Sequence, residues 1–448
     1  MVLNKFGCRH KYKVIQPLLF HLFIGSTSKR PISPRVLVHS LISFAYFDLG
    51  GLVLSVYGWI VLKLNPKAHL KEQTRLHRLT SKFMKSVLYT NPFMSKEVRN
   101  LTKSTFDKPA MVIANHSSFL DILATGMLHP KLIYLVKDHV YNSPVIGSAA
   151  KLHGAYPVSG GIENGEAFLQ QKVKQGFSII AFPEGARSTT NKIGRFHKGA
   201  FYLAEKLQLD LLPVLIHGGS ELSPKNSFII RDGSFTIEIL PRISATELTF
   251  GATYSERPKK FGEYFRKEFR RLRNEIEDET YWHDLLLENY KHKGHTLYQR
   301  VKADLQQFST TYISILRTLE EKNKIIHISD DDGQLDLLLA LDSFDRKIYS
   351  FLEDDLSRSI LKNNYLTHQY SKITVVNSIN EVFEQQANAI IINTDCMNFE
   401  EIAKHIHEEM SILILLKSGL TIDTQQLLSI GFKIEFENTK LKILKRTF

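Results

Sequence analysis

The chain has 448 residues, 43% of them hydrophobic, enough to bury a large core in two to three domains and to exclude wholesale disorder. Lys and Arg number 58 against 46 Asp and Glu, a formal charge of +12 that suits membrane surfaces or phosphate-bearing substrates; no recognition motif or aromatic-rich reading surface points to nucleic acid. Cys8 and Cys396 lie far apart without Cys-x-x-Cys spacing, which argues against a disulfide framework or a zinc site and fits a reducing, cytosolic setting.

In chain order, residues 1–35 form a basic arm carrying Lys5, Arg9, Lys11, Lys13, Lys29, Arg30 and Arg35 and no acidic residue. An apolar segment follows over residues 36–64, interrupted by Asp48 and then Gly50-Gly51. As one helix it exceeds the roughly 20 residues that cross a bilayer, while each half alone is too short. A single tilted span and a re-entrant hairpin turning at the glycines both remain open. The basic flank and Trp59 resemble interface anchors, and the segment is too long and starts too late for a cleaved signal, so a membrane-attached protein is expected.

Residues 65–256 carry short apolar runs, "PAMVIAN", "KLIYLVK", "FSIIAFPEG", "LLPVLIHGG" and "FTIEILPRI", predicted as buried strands by their β-branched content and their Gly, Pro or Asn boundaries. Helical stretches such as "ENGEAFLQQKVKQG" and "KGAFYLAEKLQ" lie between them, which predicts an α/β domain with a mostly parallel or mixed sheet flanked by helices. Over residues 257–323 a basic helical connector places Phe261, Tyr264, Phe265, Phe269, Leu272 and Ile276 at helical spacing among lysines and arginines. Such a helix lies either on an anionic bilayer or on its own domain with a solvated charged face. Residues 324–448 return to a βαβ cadence that ends in "FKIEFENTKLKILK", predicted as an antiparallel closing hairpin.

Two stretches carry the chemistry. "NHSSFLD" sets His116 and Asp121 at a strand-to-helix joint. Ser118 with Asp121 matches the Ser-x-x-acid helix cap; equally, a carboxylate one turn into the helix can hold the His116 ring in one tautomer and leave the other nitrogen free to take a proton. "FPEGARS" stops a strand at a proline and a glycine, so that Glu184 and Arg187 project from the sheet edge, and the arginine fork suits phosphate. "HGGS" at residues 217–220 lacks the elbow setting of a nucleophilic serine, and His292 with His295 and His405 with His407 lack a third ligand at metal spacing, so no metal is expected.

Together with "RFHKGAFYLA" and "LLPV", in this order and spacing, those stretches resemble the glycerolipid acyltransferases of the lysophosphatidic acid acyltransferase family. The resemblance implies that His116 is the general base, that Asp121 orients it, and that Asn115, Glu184, Gly185 and Arg187 engage substrate. Ala186 stands where the family usually has threonine. The family's second block ends in a phosphate-holding arginine six residues after a glycine, whereas "GAYPVSG" offers Gly154 but ends in Gly160; Arg195 and Lys198 are the expected substitutes.

The segment from "IIHISDDDGQLDLLLALDS" to "FLEDD" is similar to the opening of class I S-adenosylmethionine-dependent methyltransferases. That resemblance implies cofactor contacts at Gly333 and Glu353, but three aspartates crowd the loop, so a degenerate Rossmann-like domain without cofactor is expected. The expected whole is a membrane-attached O-acyltransferase moving a fatty acyl group from acyl-CoA or acyl carrier protein to a lysophospholipid or glycerol-type hydroxyl, with no cofactor required, at the cytoplasmic face of a bacterial inner membrane. The alternatives are a bifunctional acyltransferase and methyltransferase, and a non-catalytic membrane tether.

Overall fold

The computed structural model describes residues 32–64, 69–102, 106–143, 147–158, 161, 165–189, 192–370, 372–394, 397, 399–416 and 431–446; the arm before residue 32, Gly160 and both cysteines lie outside them. The chain divides into two units, with the boundary between Arg273 and Asn274.

In the first unit, α1 (Pro34–Leu64) is one continuous helix, so the chain does not turn at Gly50-Gly51. The reason lies in the neighbouring helix, α2 (His69–Leu88). A Cβ on Gly50 would stand 2.3 Å from the Phe83 ring, and one on Gly58 2.7 Å from Leu76, so these glycines serve close helix approach rather than a turn. Polar side chains fasten α1 to its own unit: Ser40 Oγ accepts from the Ile230 N–H at 2.9 Å, and the Ser43 and Thr90 hydroxyls share a hydrogen bond of 2.6 Å. The opposite face presents Leu49, Leu52, Val53, Trp59 and Leu64, each more than half exposed.

Seven strands form the first sheet: β1 (Met94–Asn100), β2 (Ala110–Ala114), β3 (Leu132–Val136), β4 (Tyr156–Pro157), β5 (Ser178–Ala181), β6 (Asp210–His217) and β7 (Gly233–Ile239), in the order β1-β7-β6-β2-β5-β3-β4. Every neighbouring pair is parallel except β6 with β7, which gives the expected mixed sheet. The apolar runs became the central strands, with all five residues of β2 buried. β1 was not anticipated, because "MSKEVRN" at a sheet edge buries only Met94 and has no apolar run to reveal it.

The longer helices that follow are α3 (Leu120–Leu128), α4 (Glu166–Lys174), α5 (Gly199–Lys206) and α6 (Arg257–Ile276), the last of which runs just past the boundary. The apolar stripe of α6 is taken up by its own domain: Phe261, Phe265 and Leu272 are fully buried, and Phe265 meets the Phe196 ring edge-on at 5.3 Å. Arg271 pairs with the buried Glu238. That face is therefore not presented to a bilayer.

The second unit begins with α7 (His283–Tyr290) and α8 (His295–Thr318). Its strands are β8 (Lys324–Ser329), β9 (Lys347–Leu352), β10 (Ile373–Val375), β11 (Ala389–Asn393), β12 (Ile412–Leu416), β13 (Phe432–Glu437) and β14 (Leu441–Arg446). They run β10-β9-β8-β11-β12-β14-β13, parallel up to β12 and closed by the antiparallel β13–β14 hairpin. Helices α9 (Gln334–Asp342) and α10 (Asp355–Lys362) follow β8 and β9. The order reverses between β8 and β11, which is the topological switch point of a doubly wound, Rossmann-like sheet.

Candidate active site

The chain leaves β2 at Ala114 and is pinned at once. Asn115 is buried, its Nδ2 donates to the Ile216 carbonyl and its Oδ1 accepts from the Ile216 N–H, both at 2.8 Å. Its amide is thus engaged by β6, a structural placement where a substrate contact was expected. Next, the His116 N–H donates to Glu184 Oε1 at 2.8 Å and the His116 carbonyl accepts from the Ser188 N–H at 2.7 Å.

Asp121 Oδ2 collects three donors: His116 Nδ1 at 2.9 Å, the Ser117 N–H at 2.6 Å and the Ser118 N–H at 2.8 Å. Cap and orienter therefore coexist on one carboxylate oxygen. The serine half of the cap does not form, since Ser118 Oγ accepts from Leu120 N–H at 3.1 Å and not from a residue further along. With Nδ1 committed to Asp121, the His116 ring keeps Nε2 for chemistry, and Phe182 stacks on it at 4.2 Å.

Glu184 acts as a clamp. Its Oε2 accepts from the Gly194 N–H at 2.8 Å while Oε1 holds His116, so one side chain joins the ends of β2 and β5 to the loop before α5. Burial raises its pKa, and the two backbone donors pull it back down. Gly185 adopts φ +70°, a conformation that side chains resist, and a Cβ there would meet the His197 ring at 3.2 Å. The glycines of "HGGS" also find a reason: a Cβ on Gly219 would stand 2.8 Å from Ser117 Oγ and 2.9 Å from Asp121 Oδ1. The backbone after β6 is pressed against the His–Asp pair, a contact that no local spacing announces.

His116 opens onto a cavity of about 1040 Å³. One face of each of three helices lines it: Phe47, Gly51 and Leu54 of α1, His77, Thr80, Ser81 and Met84 of α2, and Phe119, Ile122 and Gly126 along α3. Spacings of three and four residues on all three make it a channel running along the helices. Arg187 is in its wall; among the described residues it makes no hydrogen bond, burial lowers its pKa, and the Asp121 charge raises it again. Arg195 and Lys198, the expected substitutes for the missing cation, are exposed and do not line the cavity, whereas Lys137 and Lys225 do. Both were missed because neither belongs to a stretch that carries the chemistry: Lys137 ends the strand run "KLIYLVK", and Lys225 lies in none of the quoted runs.

In the second unit the loop after β8 is where S-adenosylmethionine would bind. Asp331 and Asp332 are buried in the loop where a glycine-rich turn would admit a nucleoside. The Arg300 guanidinium, the Ser357 hydroxyl and the Tyr290 hydroxyl all hold Asp332, the first two on its carboxylate and the last on its carbonyl. Gly333 is left-handed, and a Cβ there would stand 3.0 Å from Leu361. Glu353 accepts a hydrogen bond from the Thr394 hydroxyl, which occupies an oxygen that a ribose would need. Burial raises Asp331 to about 6. These residues satisfy one another and do not fit the cofactor.

Residues 95–217 match a family model described as Acyltransferase. Among curated proteins the chain is 30% identical over 159 residues to a chloroplastic 1-acyl-sn-glycerol-3-phosphate acyltransferase of Brassica napus, covering 34% of this chain and 46% of that protein. It is 31% identical over 150 residues to the 1-acyl-sn-glycerol-3-phosphate acyltransferase of Saccharomyces cerevisiae, covering 32% and 50%. The chain thus spans about half the length of the curated relatives it matches. Among solved structures it resembles the 1-acyl-sn-glycerophosphate acyltransferase of Thermotoga maritima, with 20% identity, 53% of this chain, 98% of that chain and a TM-score of 0.45. It also resembles the precorrin-6y C5,15-methyltransferase of Geobacter metallireducens, with 13% identity, 31% and 86% coverage and a TM-score of 0.25.

Proposed function

We propose that this chain, an acyltransferase-type domain joined to a Rossmann-like domain, transfers a fatty acyl group from a thioester donor to the hydroxyl of a lysophosphatidate-type acceptor. The observation that carries the reading is the His116–Asp121 pair, 2.9 Å apart, at the wall of a long cavity that also holds Arg187. His116 Nε2 takes the proton of the acceptor hydroxyl as its oxygen attacks the thioester carbonyl. The tetrahedral intermediate then collapses, the carbon–sulfur bond breaks, and the proton passes from Nε2 to the leaving thiolate. Asp121 stabilises the transient imidazolium. Arg187, with Lys137 and Lys225 lining the same cavity, holds the acceptor phosphate, and Glu184 and Asn115 keep the His116 backbone in place. Acyl chains lie in the channel between α1, α2 and α3.

Attachment is to one leaflet. A helix that crosses a bilayer meets lipid or other spanning helices on every side. In contrast, α1 is fastened along its length to α2 and the globular unit, and α2 exposes Lys71, Arg75, Arg78, Lys82 and Lys85 beside it. An apolar ridge next to a basic face suits insertion at an anionic surface. Thioester donors, acyl-CoA or acyl carrier protein, are made in the cytosol, so the face is the cytoplasmic side of a bacterial inner membrane. No reaction is assigned to the second unit.

The test is transfer of labelled acyl groups from acyl-CoA and from acyl carrier protein to a panel of lysolipids in vesicles, with His116→Ala alongside. Transfer that falls by about 10²–10⁴ in the variant supports the base. Absence of transfer from folded, vesicle-bound protein overturns the reading in favour of a tether.

A further inference from the structure

His197 lines the cavity, is open to solvent and has no part in the proton transfer. Its neighbours in the chain, Arg195 and Lys198, are exposed and lie outside the cavity wall. Two backbone bonds stitch this stretch to the loop after β5: the Gly194 N–H donates to Glu184 Oε2 and the His197 N–H to the Pro183 carbonyl, both at 2.8 Å. Phe196 anchors it in the core, buried against Phe265. The His197 ring is thereby set against the turn at Gly185, where an added Cβ would stand 3.2 Å from its Cδ2 and 3.4 Å from its Nε2. Among the described residues no hydrogen bond engages that ring, which leaves it open to a bound molecule.

The charges around the ring favour an anion. Arg187 stands two residues after Gly185 and lines the same cavity. Each oxygen of Glu184, the carboxylate of this turn, already accepts from a backbone N–H, of His116 or of Gly194, and Asp121 is bound to His116. Lys137 and Lys225 add positive charge to the wall, with His139 as a further titratable group, whereas burial lowers the pKa of His77, His129 and His153. Protonation gives an imidazole two N–H donors and a positive charge, and histidine is the side chain whose charge ordinarily changes between about pH 5 and 8. Hydrogen bonds from a charged donor to phosphate are roughly twice as strong as neutral ones.

We propose that protonated His197 binds the acceptor phosphate beside Arg187, so that the preference for phosphate-bearing acceptors over neutral ones rises as the pH falls. This deepens the acyl-transfer reading and rests on it: Arg187 supplies a permanent charge to the phosphate, and His197 supplies one that depends on the proton.

The experiment measures kcat/KM for two acceptors in neutral detergent micelles from pH 5.5 to 8.5, with one acyl-CoA donor throughout. Lysophosphatidylmethanol carries a phosphodiester with one fixed charge over this range, and monoacylglycerol carries none. Their ratio cancels the titration of His116, which serves both. In the wild type the ratio is expected to fall about tenfold as the pH rises. His197→Gln holds it low at every pH, and His197→Arg, which keeps a cation, holds it high at every pH; the Arg variant serves alone if the Gln variant does not fold. A structural role for the ring would not make the two variants part in opposite directions. A wild-type ratio that does not change with pH, or one that changes equally in both variants, overturns the inference. If the folded protein acylates neither acceptor, acyl transfer itself fails. Displacement of a fluorescent lysophospholipid by lysophosphatidylmethanol against monoacylglycerol over the same pH range then decides the His197 site independently, and a displacement ratio that does not change with pH overturns it.

Discussion

Gly219 lies 98 residues after Asp121 in the chain, yet adding one methyl there strikes the His–Asp pair directly. The new Cβ of Gly219→Ala would stand 2.8 Å from Ser117 Oγ, 2.9 Å from Asp121 Oδ1 and 3.0 Å from Ser118 Cβ, where ordinary contact begins at 3.4 Å. Ser118 and Asp121 are fully buried and Ser117 nearly so, and backbone donors hold Asp121, so none of the three can swing aside. Relief requires a shift of about half an ångström, and overpacking of this kind costs about 1–3 kcal/mol. The same shift moves Asp121 relative to His116; misplacement by about 1 Å lowers turnover about 10²-fold. The assay is kcat/KM for acyl transfer beside the melting temperature, with both expected to fall. Ser117→Gly in the same chain removes the nearest clash while keeping the N–H that donates to Asp121, and restores part of the activity. Wild-type activity and stability in Gly219→Ala would refute the claim that the segment after β6 supports the pair.

Asn115→Ala leaves the buried N–H and carbonyl of Ile216 unpaired, at about 1–3 kcal/mol for each, so urea unfolding shifts; a rise in KM with unchanged stability would return Asn115 to the substrate. Glu184→Gln turns an amide nitrogen toward one of the two N–H groups that now share the carboxylate, so stability and kcat fall while KM holds, as urea titration and kinetics would reveal. Burial holds the His77 and His153 pKa values down at about 3 and about 4, from 6.5 in the unfolded chain. Unfolding therefore takes up protons, and the first unit keeps this contribution above pH 6.5 and loses it as the pH falls through 4 toward 3. Thermal melts of wild type and His77→Phe across that window are expected to diverge at neutral pH and converge in acid.

What could be read from the chain is what rests on neighbours in sequence. The buried strands were visible in their apolar runs, and the pairing of His116 with Asp121 was visible because both stand at one strand-to-helix joint. There the 3.6-residue turn fixes how a ring and a carboxylate meet. The antiparallel end of the second sheet was legible for the same reason, two short runs separated by a tight turn. Each feature that escaped depends on a contact between distant segments. β1 has no apolar run because its partner β7 covers only one edge. Gly50-Gly51 suggests a turn until Phe83, on another helix, shows what the missing side chain makes room for. Arg195 and Lys198 share a stretch with His197, but only His197 faces the channel, a matter of orientation after β5 and not of spacing. Lys225, Gly219 and His77 lie 39 to 109 residues from His116 or Asp121, so the meeting of Lys225 and His77 at one cavity, and of Gly219 with the His–Asp pair, belongs to the packing of helices on a sheet. The sequence by itself determined the elements and the reactive pair, because those follow from local chemistry; the tertiary structure alone decided what surrounds the pair, because burial and proximity are properties of the assembled fold.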